Sequence, residues 1–158
     1  MGAQPADEKR VIVRNKRAYH DYLVEDTYEA GLALVGSEVK SIRDGKVVIG
    51  DAWVTVRNGE AWLVDMQVNE YPWANRWNHQ PKRERKLLLH RRQIDKIAEA
   101  TGKAGYTALA LELYFLRGHV KALIGICRGK KEHDKRQTEL ERDARREIDA
   151  ALARRRKK

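Results

Sequence analysis

The sequence has 158 residues, with 33 Lys plus Arg against 23 Asp plus Glu, which predicts one domain with tails and a polyanionic partner, either nucleic acid or an anionic membrane surface. No stretch approaches the roughly 20 apolar residues of a membrane helix, and the first residues lack the apolar core of a secretory signal. We therefore expect a cytoplasmic protein without a membrane partner.

The N-terminal part is polar and basic. Residues 1–10 begin with small side chains and predict a disordered leader. A cluster of basic residues precedes the first expected strand: Lys9, Arg10, Arg14, Lys16 and Arg17. From Tyr19 to Leu34 the β-branched and aromatic content predicts strands, with a break near Ala30-Gly31.

A short helix and a hairpin are predicted next. Ser37 is a residue type that caps helix N-termini, and it precedes Val39 and Ile42, which share one helical face. Gly45 is expected to end this helix. Asn58-Gly59 lies between two segments of alternating apolar residues, and this pair accepts the positive φ of a two-residue turn. It is the strongest hairpin signal in the chain.

Residues 70–86 contain two prolines and no apolar period, which predicts a long loop of the kind that often carries function. The loop leads directly into Leu87-Leu88-Leu89. A helix is predicted after these leucines from the spacing of Ile94, Ile97 and Ala98, with Gly102 and Gly105 as its stop.

A second hairpin is predicted around the turn at Arg117-Gly118. One of its faces is expected to be buried, because every second residue before the turn is apolar and points to the same side: Leu109, Leu111, Leu113 and Phe115. Cys127, the single cysteine, excludes an intramolecular disulfide and is expected as a small apolar residue in a strand. Two hairpins, further strands and two short helices indicate a mainly β fold. We expect residues 11–129 to close into an antiparallel barrel of the oligonucleotide-binding type, because closure removes exposed strand edges.

The composition changes after Gly129. Residues 128–158 hold 13 basic and seven acidic residues, and their apolar stripe is too thin to hold a helix on a core. Thr138 and Glu141 fit a capping box, and Glu141 with Arg145 fits an i,i+4 ion pair. We therefore predict that residues 130–158 form a helix that needs a binding partner, because it cannot pack on the core.

The densest basic segment is Asn75–Arg92, with seven basic residues and one acidic residue, which favours phosphate contacts. A merely solvated face is the alternative. Tyr71, Trp73 and Trp77 lie in or beside this segment, where they are placed either to stack on bases or to pack over the rim of the barrel.

Catalysis is the less favoured hypothesis. The chain has no phosphate-binding loop, no dinucleotide fingerprint and no serine-hydrolase elbow, and its five histidines are too scattered for a metal site, so we expect no cofactor and no metal. His20 beside Asp21 suits general acid–base cleavage of RNA, but sequence proximity alone is weak evidence for catalysis, and a structural hydrogen bond is the favoured interpretation of the pair. A small ribonuclease and a ribosomal protein remain the alternatives to a non-catalytic RNA-binding protein.

Several segments match one family in order and spacing. They are Asn15 to Tyr22, Tyr28 to Gly31, Gly36 to Lys46, Arg85 to His90, Leu113 to Phe115, Arg128 to Lys131, and His133 to Arg136. The chain resembles the small protein B family of SsrA-binding proteins from Val11 onward.

The resemblance implies a barrel that holds the tRNA-like domain of transfer-messenger RNA and helps to deliver it to ribosomes stalled without a stop codon, with no reaction catalysed. It places Glu29, Leu88 and Lys121 at positions that contact this RNA, with His20 and Tyr22 as weaker members of the same face. The tail is implied to be disordered in the free protein and helical on the ribosome.

We expect a monomer with two RNA-facing regions. The barrel is predicted to bind RNA through the residues named above and through Asn15, Lys16, Arg17, Lys40, Arg43, Arg83, Arg85, Lys86, Arg128, Lys130 and Lys131. The resemblance places the tail residues towards the decoding region of the small ribosomal subunit: His133, Asp134, Lys135 and Arg136.

Overall fold

The computed structural model describes residues 8–74, 78–130 and 132–156. Most of the expected leader, together with Trp77 and Lys131, lies outside these residues. In chain order the elements are β1 (Arg10–Arg14), α1 (Lys16–Asp21), β2 (Tyr22–Leu32), α2 (Gly36–Arg43), β3 (Val47–Val48), β4 (Trp53–Arg57), β5 (Glu60–Val64), β6 (Gln67–Val68), β7 (Arg85–Leu88), α3 (Arg91–Thr101), β8 (Tyr106–Leu116), β9 (His119–Gly129) and α4 (Glu132–Arg156).

Antiparallel pairing organises these strands into one large sheet. Seven strands follow the order β1-β8-β4-β5-β7-β2-β9, and β9 also pairs with β8. The pairings of β8, β4, β5, β7, β2 and β9 therefore run round in a ring, while β1 adds to β8 and β3 pairs separately with β6. The prediction of a mainly β protein with short helices is confirmed.

Both predicted hairpins form with the expected turns. Asn58 and Gly59 have φ of 53° and 75°, and Arg117 and Gly118 have φ of 53° and 78°. Positive φ at both central residues gives the turn a twist that matches its flanking strands. The first hairpin joins β4 to β5, and the second joins the two 11-residue strands β8 and β9.

The single buried face predicted for the second hairpin is wrong, because a β-bulge interrupts β8. The register passes from Ala110 opposite Ile124 to Glu112 opposite Leu123, so Leu111 is the extra residue. An inserted residue reverses the faces of the side chains that follow it. Leu113 therefore faces the main core, while Leu111 and Cys127 pack with Ala18 in a second small cluster.

Two expectations for the N-terminal strands are corrected. Residues 19–21, which were expected in a strand, belong to α1, because the Asn15 side chain caps this helix by accepting the Ala18 N–H at 3.0 Å. β2 then runs without a break through Ala30 and Gly31 to Leu32, because its pairing with β9 continues across them.

The helix α2 begins two residues earlier than predicted. Val35 rather than Ser37 is its N-cap residue, and the Glu38 carboxylate accepts the Val35 N–H at 3.0 Å. Gly45 follows the helix with a φ of 75°, as expected for a C-terminal glycine. Downstream, α3 buries Ile94 and Ile97 and ends at Gly102, which confirms that prediction.

The last helix, α4, lies largely outside the core. Its apolar stripe is exposed, with Leu140, Ile148 and Leu152 at 69%, 60% and 48% relative exposure. No helix in the described ranges is long and apolar enough to cross a membrane. The expectation that residues 130–158 are disordered in the free protein and ordered on the ribosome stays a prediction.

Candidate functional site

A cavity of about 740 Å³ opens where β2, β5, β7 and β9 meet the start of α3. Four of the predicted RNA-contact residues line it: Glu29, Lys86, Leu88 and Lys121. They come from three strands that are far apart in the sequence. The structure therefore brings these four predictions together in one concave surface.

Gly31 is the centre of this arrangement. It lies opposite Leu88 of β7 on one side and opposite Lys121 of β9 on the other. A Cβ atom at Gly31 would lie 3.2 Å from the Leu88 Cβ, tighter than ordinary van der Waals contact. Glycine at this position therefore lets the Leu88 side chain lie across β2 beside Lys121.

The cavity combines an exposed apolar side chain with charges of both signs. Leu88 is 55% exposed, which is unusual for a leucine within a strand. Lys86 forms an ion pair with Glu60 at 3.1 Å, and the Glu29 carboxylate accepts a hydrogen bond from the Tyr114 hydroxyl. The arrangement suits a ligand with an apolar face, hydrogen-bond donors and anionic groups.

Tyr114 fixes the position of Glu29. Burial and then the hydrogen bond to Glu29 raise the pKa of Tyr114 above its ordinary value, so the phenol remains a neutral donor. Lys9, which directly precedes β1, adds a cation–π contact: its ammonium lies 4.4 Å from the Tyr114 ring centroid. One carboxylate oxygen of Glu29 is thus held by the protein.

Two residues predicted to bind RNA are structural instead. Arg85 is completely buried, with Glu38 at 2.5 Å and the Met66 carbonyl oxygen at 2.6 Å, so it is enclosed by protein and cannot reach a phosphate. Asn15 is 3% exposed, and its amide donates to the carbonyl oxygens of Ile49 and Ala110. Both predictions are wrong because burial, which depends on distant strands, overrides polarity.

The other predicted cations lie on separate surfaces. Lys40 and Arg43 are exposed on α2, and Lys16 and Arg17 are exposed on α1. Several of the cations have protein partners: Arg17 with Asp51 at 3.2 Å, Arg83 with Glu38 at 2.5 Å, and Arg128 with Glu25 at 3.1 Å. Lys131 lies outside the described residues.

Sequence reasoning missed the role of Glu38. It is completely buried, between Arg83 and Arg85. Burial alone would raise the pKa of Glu38, but Arg83, the Val35 amide and Arg85 outweigh it and lower the pKa below the ordinary value. The spacing of Glu38 and Ile42, four residues apart on one helix face, was the available signal, because a charge on an apolar face needs a partner.

The helix α4 contacts the rest of the protein at α1. The two imidazole nitrogens of His20 lie 2.8 Å from Asp21 Oδ1 and 2.9 Å from Glu139 Oε1. Lys130 donates its backbone N–H to the Asp21 carbonyl at 2.9 Å and its ammonium to the Tyr19 carbonyl at 3.0 Å. The structural hydrogen bond predicted between His20 and Asp21 is therefore present, and both imidazole nitrogens are engaged by carboxylates.

The four tail residues of interest form the start of α4. The helix begins at Glu132, so the backbone at 133–136 is helical. Arg136 is exposed, and the side chains of His133, Asp134 and Lys135 lie outside the described residues.

The predicted RNA-contact residue Tyr22 is half-buried at the start of β2, where it lies opposite Gly129 of β9.

We expect the contact between His20 and Glu139 to weaken as pH rises. Hydrogen bonds to Asp21 and then Glu139 raise the pKa of His20 above 6.5. The contact is fully stabilised below the ordinary pKa of His20, where the imidazole is protonated. This stabilisation is lost as pH rises through the raised pKa of His20 in the folded protein. NMR titration should find the pKa of His20 lower in Glu139→Gln than in the parent. An unchanged pKa in this variant would show that α4 does not contact His20.

The comparisons with known proteins agree with one another. The family model described as SmpB protein matches residues 12–154. An SsrA-binding protein of Bacillus pumilus (strain SAFR-032) is 50% identical over 153 residues, which cover 97% of this chain and 98% of the relative. One of Bacillus cereus (strain B4264) is 48% identical and covers 97% of this chain and 99% of the relative.

A solved structure gives the same result in three dimensions. A chain from the structure described as "tmRNA-SmpB: a journey to the center of the bacterial ribosome" has a TM-score of 0.65 and 40% identity. The match covers 76% of this chain and 85% of that one. With the family model and the close relatives, it leads to one conclusion: the chain belongs to the SmpB family.

Proposed function

We propose that this protein is a non-catalytic RNA-binding protein that binds the tRNA-like domain of transfer-messenger RNA and delivers it to stalled ribosomes for trans-translation and ribosome rescue. Membership of the SmpB family supports this, as do relatives named SsrA-binding protein and a similar chain in a structure of tmRNA-SmpB and the ribosome. The observation that carries the proposal is the convergence of Glu29, Leu88 and Lys121 on one cavity.

The cavity binds RNA through three kinds of contact. Lys121 and Lys86 offer ammonium groups to backbone phosphates. Leu88 offers an apolar surface against a ribose or a base that is not in a duplex. Glu29 keeps one carboxylate oxygen beyond its bond to Tyr114, and this oxygen accepts a hydrogen bond from a 2′-hydroxyl or a base N–H. RNA presents all three complementary features.

The strand ring serves as a closed barrel of the oligonucleotide-binding type. The pairing of β9 with both β2 and β8 supports closure, since it removes the free edges on these strands. In this proposal residues 11–129 form the RNA-binding barrel of a monomer, and residues 130–158 form a separate basic tail. The tail orders on the ribosome, with His133, Asp134, Lys135 and Arg136 towards the decoding region of the small subunit.

Competition between RNAs in a gel-shift assay tests the proposed RNA partner. The labelled tRNA-like domain should be displaced by the same unlabelled RNA and poorly displaced by bulk transfer RNA. Equal displacement by both would mean that the charge of the protein, rather than a specific site, binds the RNA.

We expect Lys121→Ala to weaken binding of the tRNA-like domain roughly tenfold, because one ammonium–phosphate contact is lost at the cavity. The slope of log Kd against log salt should also become shallower by about 0.7–0.9. Lys96→Ala is the matched control, since Lys96 is exposed on α3 and does not line the cavity. Equal loss in the two variants would contradict a specific role for Lys121.

A further inference from the structure

The loop between β6 and β7 holds an indole ring out in solvent. Trp73 is 82% exposed, whereas Trp53 is 39% exposed. Exposing this much of a large aromatic side chain forgoes its contribution to the free energy of folding. The alternative that Trp73 packs over the rim of the barrel is therefore wrong. None of the described loop residues lines the cavity that holds Leu88 and Lys121.

The turn that carries Trp73 is closed by one side chain. Asn78 accepts the backbone N–H of Tyr71 at 3.1 Å and donates to the carbonyl oxygen of Tyr71 at 2.8 Å. The Ala74 N–H also bonds to the Tyr71 carbonyl, at 3.1 Å. Asn78 therefore joins the two ends of the segment and presents Trp73 away from the barrel.

Buried polar groups anchor the base of the same loop. His79 is 6% exposed, with Nε2 2.8 Å from the Val68 carbonyl oxygen and Nδ1 2.8 Å from the Ser37 hydroxyl. The carbonyl can only accept, so Nε2 donates to it, and the Ser37 hydroxyl holds the other side of the ring. Arg85 donates to the Pro81 carbonyl at 3.1 Å. A loop tethered in this way loses little conformational entropy when it binds a partner.

Exposed lysines lie in and next to the base of this loop. The Lys40 ammonium lies 5.5 Å from the Tyr71 ring centroid, and Lys40, Lys46 and Lys82 are all exposed. The Lys46 carbonyl accepts the Asn69 N–H at 3.0 Å, which places the segment between α2 and β3 against the start of the loop. An exposed aromatic ring on a loop with lysines at its base favours unpaired RNA, whose bases stack and whose phosphates attract lysine. An apolar protein pocket would not require these cations.

We propose that Trp73 is a stacking platform for an unpaired RNA base, with Lys40 contacting the adjoining phosphate. This makes the loop a third RNA-binding surface, beside the cavity and the tail. The proposal rests on the proposed function only in taking RNA as the partner. The base comes either from transfer-messenger RNA or from ribosomal RNA.

Three substitutions in the full chain test the role of Trp73: Trp73→Ala, Trp73→Leu and Trp73→Phe. The RNA probes are the tRNA-like domain, purified ribosomes, a short oligoadenylate strand and a blunt RNA duplex. Trp73→Ala and Trp73→Leu should each weaken binding of oligoadenylate and of one of the two natural RNAs roughly 5- to 150-fold. Trp73→Phe should retain most of the affinity, and the duplex should bind all four proteins equally.

Salt dependence separates stacking from charge. Trp73→Ala should leave the slope of log Kd against log salt unchanged, whereas Lys40→Ala should make it shallower by about 0.7. Trp53→Leu is the matched control, because Trp53 is a partly exposed tryptophan on β4 outside the loop. Thermal unfolding of each variant verifies that the fold is retained.

The outcomes separate this proposal from its rivals. Unchanged binding of every probe by Trp73→Ala overturns it. Full affinity in Trp73→Leu overturns it in favour of an apolar protein partner, and equal losses in Trp73→Phe and Trp73→Ala exclude ring stacking. If the parent does not select the tRNA-like domain but binds oligoadenylate through Trp73, the proposed function fails and the stacking surface stands.

Discussion

Removing residues 131–158 is expected to reduce the tagging of nascent chains on stalled ribosomes to background while preserving selective binding of the tRNA-like domain. The cavity residues Glu29, Leu88 and Lys121 lie on strands, and none of the described α4 side chains lines the cavity. Truncation after Lys130 also keeps the two hydrogen bonds that Lys130 makes to the Asp21 and Tyr19 carbonyls of α1. The strand-rich part of the chain should therefore fold and bind RNA without the tail.

The measurement pairs a gel shift with a reconstituted tagging assay. The deleted segment is strongly basic, so bulk RNA affinity and its salt dependence should both fall, and selectivity over bulk transfer RNA is the appropriate readout. Glu139→Gln is the control, since it removes the carboxylate charge that faces His20 but leaves the tail in place. Tagging by the truncated protein at the parent level would disprove the proposed division of labour.

Replacing Glu38 with alanine is expected to lower the free energy of unfolding by about 3–5 kcal/mol, because Arg85 would be left buried without its counterion. Both side chains are completely inaccessible to solvent, and the nearest oxygen and nitrogen lie 2.5 Å apart. Arg85 also donates to the carbonyls of Met66 and Pro81, so its displacement would loosen the loop before β7.

Urea unfolding of two further variants provides the controls. Glu60→Ala removes an exposed ion pair, with Lys86, and should change the free energy of unfolding by less than about 1 kcal/mol. The double variant Glu38→Leu, Arg85→Met removes both charges and should recover much of the lost stability. A loss for Glu38→Ala no greater than that for Glu60→Ala would contradict the importance of the buried pair.

The ion pair between Glu38 and Arg85 also makes the free energy of unfolding depend on pH. The pKa of Glu38 is lowered in the folded protein, since its partners outweigh the effect of burial. A lowered folded pKa contributes stability above the ordinary value of 4.5, and this contribution is lost as pH falls through the folded pKa. The difference in free energy of unfolding between the parent and Glu38→Gln should therefore be constant near neutral pH and shrink in acid.

Local features of this protein could be predicted from the sequence alone. The turns at Asn58-Gly59 and Arg117-Gly118 were predictable because two adjacent residues decide which φ values are accessible. The segments around Glu29, Leu88 and Lys121 were identified by their resemblance to a family. Each of these features resides in a few consecutive residues.

The burial of Asn15 and Arg85 was decided only by the tertiary structure. Arg85 lies in a run of basic residues that looks solvated, yet its counterion is Glu38, 47 residues earlier in the chain. Asn15 is enclosed by the carbonyls of Ile49 and Ala110, which come from two other parts of the chain. A polar residue is buried where distant groups satisfy its hydrogen bonds, and sequence neighbours do not reveal those groups.

Strand register likewise required the assembled sheet. The bulge at Leu111 reverses which side chains of β8 face the main core, and nothing in the alternating leucines marks it. The cavity exists because Gly31 lies between Leu88 and Lys121 across two strand pairings. The sequence by itself determined the turns, the basic segments and the family, because short-range chemistry specifies them. Only the tertiary structure decided which of the charged residues are buried and which side chains share a surface, because long-range strand pairing sets both.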